Sequence, residues 1–341
     1  MSESKQQTVA VVIGRWQILQ KAHLHLLRTA LAAAPRVVVV IGSAWRARDA
    51  HNPFTWGERQ QQFEAVLTAD EIARVSFLPV RDYFDEDRWH DAVRKGVTGI
   101  AGNAPITLFG FHKDHSSAYL DWFPGWELRE VESTMDISAS DLRRIYFEAE
   151  DMNSALTVIG NYVEPGVANY LKAWAHLPAY RQCAIEHRAV IEYRARYTAP
   201  VSLTADCVIT CAGHVLLIKR GGDIGHGLWA CPGGFLEPRE RFYTAALREL
   251  AEETGLNPLP GRMRVALKGQ ATFDHPARSA RGRIITTTFH FDLSDDRLPE
   301  VEGRDDAARA RWVRIDELPG LEAQLFEDHA VILDHFLKFL A

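Results

Sequence analysis

The sequence predicts an α/β chain in two parts: a domain with a doubly wound parallel sheet, followed by an α+β domain with a mixed sheet. In the first half, short and almost wholly apolar runs alternate with helical patterns, which is typical of parallel strands covered on both faces. From Val201 onward, longer strand patterns joined by tight turns replace that alternation. The length of 341 residues is itself suited to two domains.

Composition favours an ordinary globular protein. Apolar residues make up 47%, charged residues 25%, and the net charge is −6, so no nucleic-acid partner is indicated. The polar start and the strand-sized apolar runs predict neither a signal peptide nor a membrane span. The four cysteines lack zinc or CxxC spacing. We therefore expect reduced thiols and a cytoplasmic location, and the sequence leaves homo-oligomer formation open.

The first half alternates strands and helices. Residues 8–13, 37–41, 75–80 and 106–109 are predicted strands, and residues 23–33 and 55–67 are predicted helices. Ligands of such sheets bind beyond the carboxyl ends of the strands. Glycine and polar residues follow these strand ends at Gly14-Arg15, Gly42-Ser43 and Gly110. The sequence thus places a ligand site at this edge.

The second half has a different pattern. Ala212-Gly213-His214 predicts a hairpin turn. Residues 241–253 predict a helix, and Gly255 follows at the position where a C-cap glycine is expected. The last residues of the sequence predict an amphipathic helix. Between the halves, a basic helical pattern ends before Pro200. The predicted limits are 1–175 for the first domain, 176–200 for a connecting helix, and 201–341 for the second domain.

The predicted helix at 241–253 carries three carboxylates on one face. Glu249, Glu252 and Glu253 have the spacing i, i+3 and i+4, and the glycine pair before the helix permits close approach of backbone to a ligand. Packed carboxylates repel one another unless a cation is present. The pattern indicates a site for Mg²⁺ or Mn²⁺, and the alternative is a solvated glutamate-rich helix.

The complete spacing from Gly234 to Leu256 resembles the Nudix box at every defined position, which includes Glu240 and the Arg248-Glu249-Leu250 triplet. This resemblance implies a Nudix domain that hydrolyses a nucleoside diphosphate linked to another moiety. It implies catalytic roles for Glu240, Arg248, Glu249, Glu252 and Glu253, with the last three as metal ligands.

A basic loop follows the helix. The stretch FDHPARSARGRIIT resembles a segment of ADP-ribose-cleaving Nudix domains. That likeness implies hydrolysis of ADP-ribose and suggests that Arg278, Arg281 and Arg283 hold phosphate oxygens. The alternative for these arginines is a solvated loop.

The first half contains four further motifs: GRWQILQKAHLHLL, NPFTWGER, KDHSSAYLDWFP and ISASDLRR, at residues 14–27, 52–59, 113–124 and 137–144. Together these segments resemble another family, the archaeal-type nicotinamide-mononucleotide (NMN) adenylyltransferases of the nucleotidyltransferase superfamily. Together with the Nudix box, they make the chain resemble the bifunctional adenylyltransferase/Nudix proteins of bacteria.

This second resemblance implies transfer of an adenylyl group from ATP to NMN, which gives NAD and pyrophosphate. It implies that Arg15, His23 and Arg143 contact the triphosphate and that Trp89 lies near the nicotinamide ring. The remaining substrate-binding candidates are Gly14, Gln20, Lys113 and Ser138. Two purely structural alternatives remain open: Trp89 is a core residue, or Arg143 is a charged residue on the surface of a helix.

The chain also departs from the family pattern. Gln20 and Ala22 replace a histidine and a glycine of the first motif, His51 replaces a basic residue, and Ser140 replaces a threonine. Glutamine donates hydrogen bonds but carries no positive charge. An alternative hypothesis is therefore a Nudix hydrolase whose degenerate first domain senses NAD or ATP. A Nudix-derived transcription regulator is less favoured, because no helix-turn-helix pattern follows.

Overall fold

The computed structural model describes residues 8–111, 115–132 and 137–340, and omits the side chains of residues 115 and 116. The chain divides into two compact units between Ala184 and Ile185.

The first unit is built on a five-stranded sheet in the order β3-β2-β1-β4-β5, in which every neighbouring pair is parallel. The strands are β1 (Val9–Gly14), β2 (Arg36–Ile41), β3 (Val75–Pro79), β4 (Ile106–Gly110) and β5 (Glu127–Glu130). The predicted doubly wound parallel sheet is confirmed. Only β5 was missed, because its sequence ELRE has no apolar run.

Helices cover both faces of this sheet. They are α1 (Lys21–Ala33), α2 (Trp56–Glu64), α3 (Ala69–Ile72), α4 (Glu86–Ala101), a 3₁₀ helix (His115–Trp122), α5 (Ala139–Phe147), α6 (Met152–Ile159) and α7 (Pro165–Trp174). Val12 and Val39 belong to the apolar cluster that contains α1, whereas Val11 and Val38 belong to the cluster that contains α4. Since neighbouring residues of a strand point to opposite faces, continuous burial explains the unbroken apolar runs.

Helix α8 (Pro178–Arg196) contains the division between the units. Its last turns belong to the second unit, where Arg194 Nη2 donates a hydrogen bond to the carbonyl of Ala280. The sequence-based domain limits at 175 and 200 therefore stay a prediction.

The second unit contains a mixed sheet with the main order β10-β11-β6-β7-β12. The strands are β6 (Ser202–Cys211), β7 (His214–Arg220), β8 (Trp229–Ala230), β9 (Gly233–Phe235), β10 (Leu267–Phe273), β11 (Ile284–Asp292) and β12 (Ala307–Arg314). Strands β6 and β11 are parallel, and the other pairs are antiparallel. Ala212 and Gly213, with φ of 44° and 73°, form the predicted hairpin turn.

Helices pack on the two faces of the mixed sheet. They are α9 (Phe242–Thr254), α10 (Pro260–Ala266), α11 (Leu318–Leu321) and α12 (His329–Leu337), with short 3₁₀ helices at Ile315–Glu317 and Glu322–Gln324. Leu250 of α9 packs with Cys207 of β6, and Ile332 of α12 packs with Val208 of the same strand. In the described part of the chain, no helix combines the length and the apolarity needed to cross a membrane.

Gly166 permits close packing of α7 on the end of α2. A Cβ atom there would lie 2.2 Å from the carbonyl oxygen of Ala65, whereas a Cβ at Gly99 in α4 would meet nothing within 4 Å. We predict that Gly166→Ala lowers the free energy of unfolding by about 1–3 kcal/mol, through overpacking. Gly99→Ala, the matched control, should raise it by roughly 0.5–1 kcal/mol. Urea unfolding of both variants tests this, and equal effects would contradict the packing argument.

Candidate active sites

A cavity of about 290 Å³ in the second unit is lined by the predicted carboxylates and by β9. Strand β9 comes so close to α9 that a Cβ atom at Gly234 would lie 2.4 Å from Oε1 of Glu249. Only glycine permits this approach. The glycine pair therefore places backbone against the face of α9 that carries Glu249 and Glu253.

Arg248 organises the carboxylates around it. Its guanidinium donates to Glu240 at 2.9 and 3.0 Å, to Glu249 Oε1 at 2.9 Å and to Glu252 Oε2 at 2.8 Å. A fifth hydrogen bond reaches the carbonyl of Phe235 on β9 at 3.0 Å. Arg248 therefore forms ion pairs with Glu240, Glu249 and Glu252. Arg248 thus connects α9 to β9 through Phe235, and to the loop between β9 and α9 through Glu240.

The two inner carboxylates are energetically different from Glu252. Burial raises the pKa of Glu253 to about 8, although its carboxylate accepts a hydrogen bond of 2.9 Å from the amide of Gly233. Burial also raises the pKa of Glu249, against the opposing effect of Arg248. The Glu252 side chain is 45% exposed. Proximity and burial therefore disfavour ionisation of the inner pair unless a cation compensates it.

The carboxylate oxygens on α9 are ligands of the kind that a hard divalent cation prefers. Within residues 8–111, 115–132 and 137–340, however, no three acidic, histidine or cysteine side chains already converge as a metal site. Arg248 Nη1 lies between Glu249 and Glu252 and bonds to both. Each of these bonds uses one carboxylate oxygen, so a metal that used all three predicted ligands would bind the other oxygen of Glu249 and of Glu252.

The structure places the arginines of the basic loop differently from one another. Arg278 lines the cavity but forms a buried, two-pronged ion pair with Asp328, at 2.7 and 2.8 Å. Arg281 also lines the cavity and pairs with Glu327 at 2.9 Å. Arg283 does not line it and donates to the carbonyl of Asp274. Their predicted phosphate contacts stay predictions.

Arg220 was not singled out from the sequence as a site residue. It lines the same cavity, its guanidinium lies 4.1 Å from the ring centre of Phe326, and its Nε donates to the carbonyl of Ile224. Among the residues that the structure describes, no carboxylate lies within ion-pair distance of it. The signal in the sequence was a cation at a strand end just before the glycine-rich loop GGDIGHG.

In the first unit, the predicted residues gather after β1. Gly14 ends that strand, and Arg15 is exposed beside it. The side-chain amide of Gln17 exchanges two hydrogen bonds with the backbone of Phe54, at 3.0 and 3.1 Å. The first motif is therefore tied to the segment NPFTWGER, which the sequence placed nearly forty residues away.

Gln20 and His23 lie at the start of α1. The backbone amide of Gln20 donates to Nδ1 of His23 at 3.1 Å, so in this arrangement the ring hydrogen lies on Nε2. Gln20 is 5% exposed, and its side-chain Nε2 has no hydrogen-bond partner in the described structure. An unpaired buried donor is costly, and a phosphate oxygen would satisfy it. The structure therefore brings Gln20 and His23 together at one helix start.

Arg143 on α5 is 5% exposed, so it is not the surface charge of the alternative interpretation. It donates to the hydroxyl of Ser140 at 2.9 Å and to the carbonyl of Gln17 at 3.3 Å. No carboxylate among the described residues forms an ion pair with it. Ser140 thus supplies a hydroxyl at the position of the family's threonine.

The remaining predicted substrate-binding residues make different kinds of contact within the first unit. The Ser138 hydroxyl caps α5 by accepting from the amide of Asp141. Trp89 is half-buried and packs edge-on against Tyr119, with ring centres 5.7 Å apart. The amide of His51 donates to Asp49 at 2.7 Å, which fixes the loop before Asn-Pro-Phe. Lys113 lies outside the described residues.

The two units match two families. The Cytidylyltransferase-like family matches residues 11–145, and the NUDIX domain family matches residues 201–336. An Acinetobacter baylyi nicotinamide/nicotinic acid mononucleotide adenylyltransferase is 33% identical over 52% of this chain and 93% of its own length. An ADP-ribose pyrophosphatase of Methanocaldococcus jannaschii is 31% identical over 47% of this chain and 86% of its own.

A solved structure is similar along nearly the whole chain. It is a bifunctional NMN adenylyltransferase/ADP ribose pyrophosphatase from Francisella tularensis, in complex with AMP and a Mn ion. It has 30% identity and a TM-score of 0.87, and the match covers 97% of this chain and 99% of that one. The two units thus define a nucleotidyltransferase domain followed by a Nudix domain. The chain belongs to the family of bifunctional NMN adenylyltransferase/ADP-ribose pyrophosphatase proteins.

Burial of Glu253 predicts a pH dependence of stability in the metal-free protein. Its pKa is about 8 in the folded state and 4.5 without burial, so between these values the folded protein holds a proton that the unfolded chain has lost. Stability should therefore fall as pH rises from about 5 to 8, and Glu253→Gln should remove this contribution. Urea unfolding with a chelator at pH 5, 6.5 and 8 measures it. Identical pH slopes in the two proteins would refute the argument.

Proposed function

We propose that the second unit hydrolyses ADP-ribose to AMP and ribose 5-phosphate with Mg²⁺ or Mn²⁺. We propose that the first unit binds ATP and transfers its AMP moiety to NMN, which gives NAD and pyrophosphate. We also place the protein in the cytoplasm, since the four cysteines are buried and form no disulfide in the described structure. Membership of the bifunctional family supports both activities.

The observation that carries the hydrolase proposal is the acidic face of α9 within the cavity. Glu249 and Glu253 lie against the glycine edge of β9, and Glu252 stands at the more exposed side. A divalent cation held there would offset the carboxylate charge and polarise a diphosphate oxygen or a water molecule. Arg248 would keep Glu249 and Glu252 oriented through its bonds to both.

Arg220 is our candidate for contact with the diphosphate. Arg278 and Arg281 already have carboxylate partners, whereas no ion pair of Arg220 is present in the described part of the chain. Arg220 is partly buried, and such a cation without a carboxylate partner among the described residues favours an anionic ligand, because the ligand offsets its desolvation. The sequence-based roles of Arg278 and Arg281 in phosphate binding remain part of the proposal.

The transferase proposal depends on polar groups that the fold brings together after β1. They are the side-chain amide nitrogen of Gln20, which has no hydrogen-bond partner in the described structure, the imidazole of His23, and the guanidinium of Arg143, which has no carboxylate partner among the described residues. The reaction needs no covalent enzyme intermediate, so positioned donors and cations are the groups that stabilise phosphate charge. The alternative of a degenerate sensing domain is not favoured by the comparisons, which match named adenylyltransferases.

We predict that Glu252→Gln reduces ADP-ribose hydrolysis by orders of magnitude while the fold is kept, because the charge of a metal ligand is lost. The measurement is AMP release at saturating Mg²⁺ and Mn²⁺, together with thermal unfolding. Glu237→Gln changes an exposed glutamate in the loop before α9 and serves as the matched control. Near-normal turnover of the Glu252 variant would refute its assignment as a ligand.

We predict that Gln20→Ala slows NAD formation by on the order of 10²-fold, because a phosphate donor is lost. Gln20→His, alone or with Ala22→Gly, should exceed the wild-type rate, since an imidazole can also carry a charge. The assay measures NAD from NMN, ATP and Mg²⁺. Gln60→Ala, at a glutamine that bonds only to Glu64 of its own helix, is the control. An unchanged rate for Gln20→Ala would show that the amide does not contact the phosphates.

A further inference from the structure

Arg59 is the largest side chain among those that are fully buried, with 1% exposure. Its Nη1 donates to the carbonyls of Arg15 and Gly42, both at 2.6 Å. Its Nη2 donates to the carbonyl of Ser43 at 3.0 Å. One guanidinium on α2 therefore joins the segment after β1 to the segment after β2.

These two segments hold unusual backbone conformations. Four residues other than glycine have positive φ there: Trp16 at 53°, Ile18 at 72°, Ser43 at 51° and Trp45 at 58°. Such conformations are costly and persist only where surrounding contacts enforce them. The hydrogen bonds of Arg59 are contacts of that kind, because they hold the carbonyl of Arg15, directly before Trp16, and the carbonyls of Gly42 and of Ser43 itself.

The charge of Arg59 is also unusual. In the described part of the chain, no carboxylate lies within ion-pair distance of it. Burial lowers the pKa of Arg59 to about 9, so it is still protonated at neutral pH. Carbonyl oxygens at the carboxyl ends of parallel strands carry partial negative charge, which repels a polyphosphate placed beyond them. Arg59 donates hydrogen bonds to three backbone carbonyl oxygens that follow β1 and β2, and its guanidinium places a full positive charge next to them.

We propose that Arg59 is a positioning residue of the nucleotide site: it fixes the two strand-end segments and converts their carbonyl edge into a site for a polyphosphate anion. This inference rests on the proposed adenylyltransferase function. Arg59 has no role in contacting the ligand, because its side chain is fully buried and its Nε, Nη1 and Nη2 each donate to backbone oxygens. It acts through Arg15 and the segment that leads to Gln20.

The chain offers a matched control in Arg74. Its guanidinium also bonds backbone carbonyls, with Nε to Pro35 at 3.0 Å and Nη2 to Ala34 at 2.6 Å and to Leu31. Pro35 precedes β2, so Arg74 lies at the opposite edge of the sheet from the proposed site. Loss of Arg74 should weaken packing of the same kind without affecting the polyphosphate.

The experiment uses the full chain and inorganic tripolyphosphate as the probe, measured by titration calorimetry, with thermal unfolding in parallel. We expect Arg59→Gln to weaken tripolyphosphate binding about 10–100-fold, the loss expected for one charge-assisted network. Arg74→Gln should bind as wild type does even if its melting temperature falls. Arg59→Lys keeps the charge but not the three-way fork, and it should lie between wild type and Arg59→Gln.

Three results would overturn the inference: no binding of tripolyphosphate by wild type, wild-type affinity in a folded Arg59 variant, or equal losses in the Arg59 and Arg74 variants. If Arg59→Gln does not fold, Arg59→Lys decides the outcome, and unchanged affinity counts against the proposal. NAD formation is measured separately, with a rise in KM for ATP expected to exceed the fall in kcat. A wild type that binds tripolyphosphate but makes no NAD would contradict the proposed function and leave this inference standing.

Discussion

The cost of removing charge from water is the constraint on which both units depend. In the first unit, Arg59 and Arg143 are buried without carboxylate partners in the described structure, and backbone or hydroxyl oxygens take their hydrogen bonds. In the second unit, Glu249 and Glu253 are buried against β9, with raised pKa values. In the proposed function, each arrangement binds an oppositely charged ligand, because a buried charge is stable only when it is compensated. The first favours a polyphosphate, and the second favours a metal cation.

The candidate site of the first unit contains donors and cations, whereas that of the second unit contains carboxylates. This difference in charge suits the two sites to different reactions of related nucleotides. A transferase that joins two phosphates needs donors and cations around the reacting groups, which we propose Gln20, His23 and Arg143 to be. A hydrolase that splits a diphosphate needs a cation held by carboxylates, which α9 supplies. In the proposed function, one unit makes NAD and the other removes ADP-ribose released when NAD is broken. The two chemistries therefore serve the same metabolite.

Local patterns predicted most elements of the fold, since each depends on neighbouring residues. Apolar runs indicated β1 to β4, a glycine turn indicated the β6–β7 hairpin, and the spacing of the glutamates placed them on one face of α9. The polar strand β5 was missed because parallel pairing with β4, not side-chain burial, makes it a strand. The ion pairs of Arg248 were also foreseeable, because Glu252 stands one turn away on the same helix.

The sequence by itself determined which residue types each site contains: the Nudix carboxylates, the glycines beside them, and the motif residues Gln20 and Arg143. Tertiary structure alone decided which charges are left for a ligand. Arg278 and Arg220 look alike in the sequence, yet a segment fifty residues away brings Asp328 to the former, and no carboxylate in the described chain pairs with the latter. In the sequence, Arg59 is one residue of the NPFTWGER segment. Its contacts with the ends of β1 and β2 exist only in the folded chain. Pairing between distant segments sets the charge of a site, and no local pattern contains it.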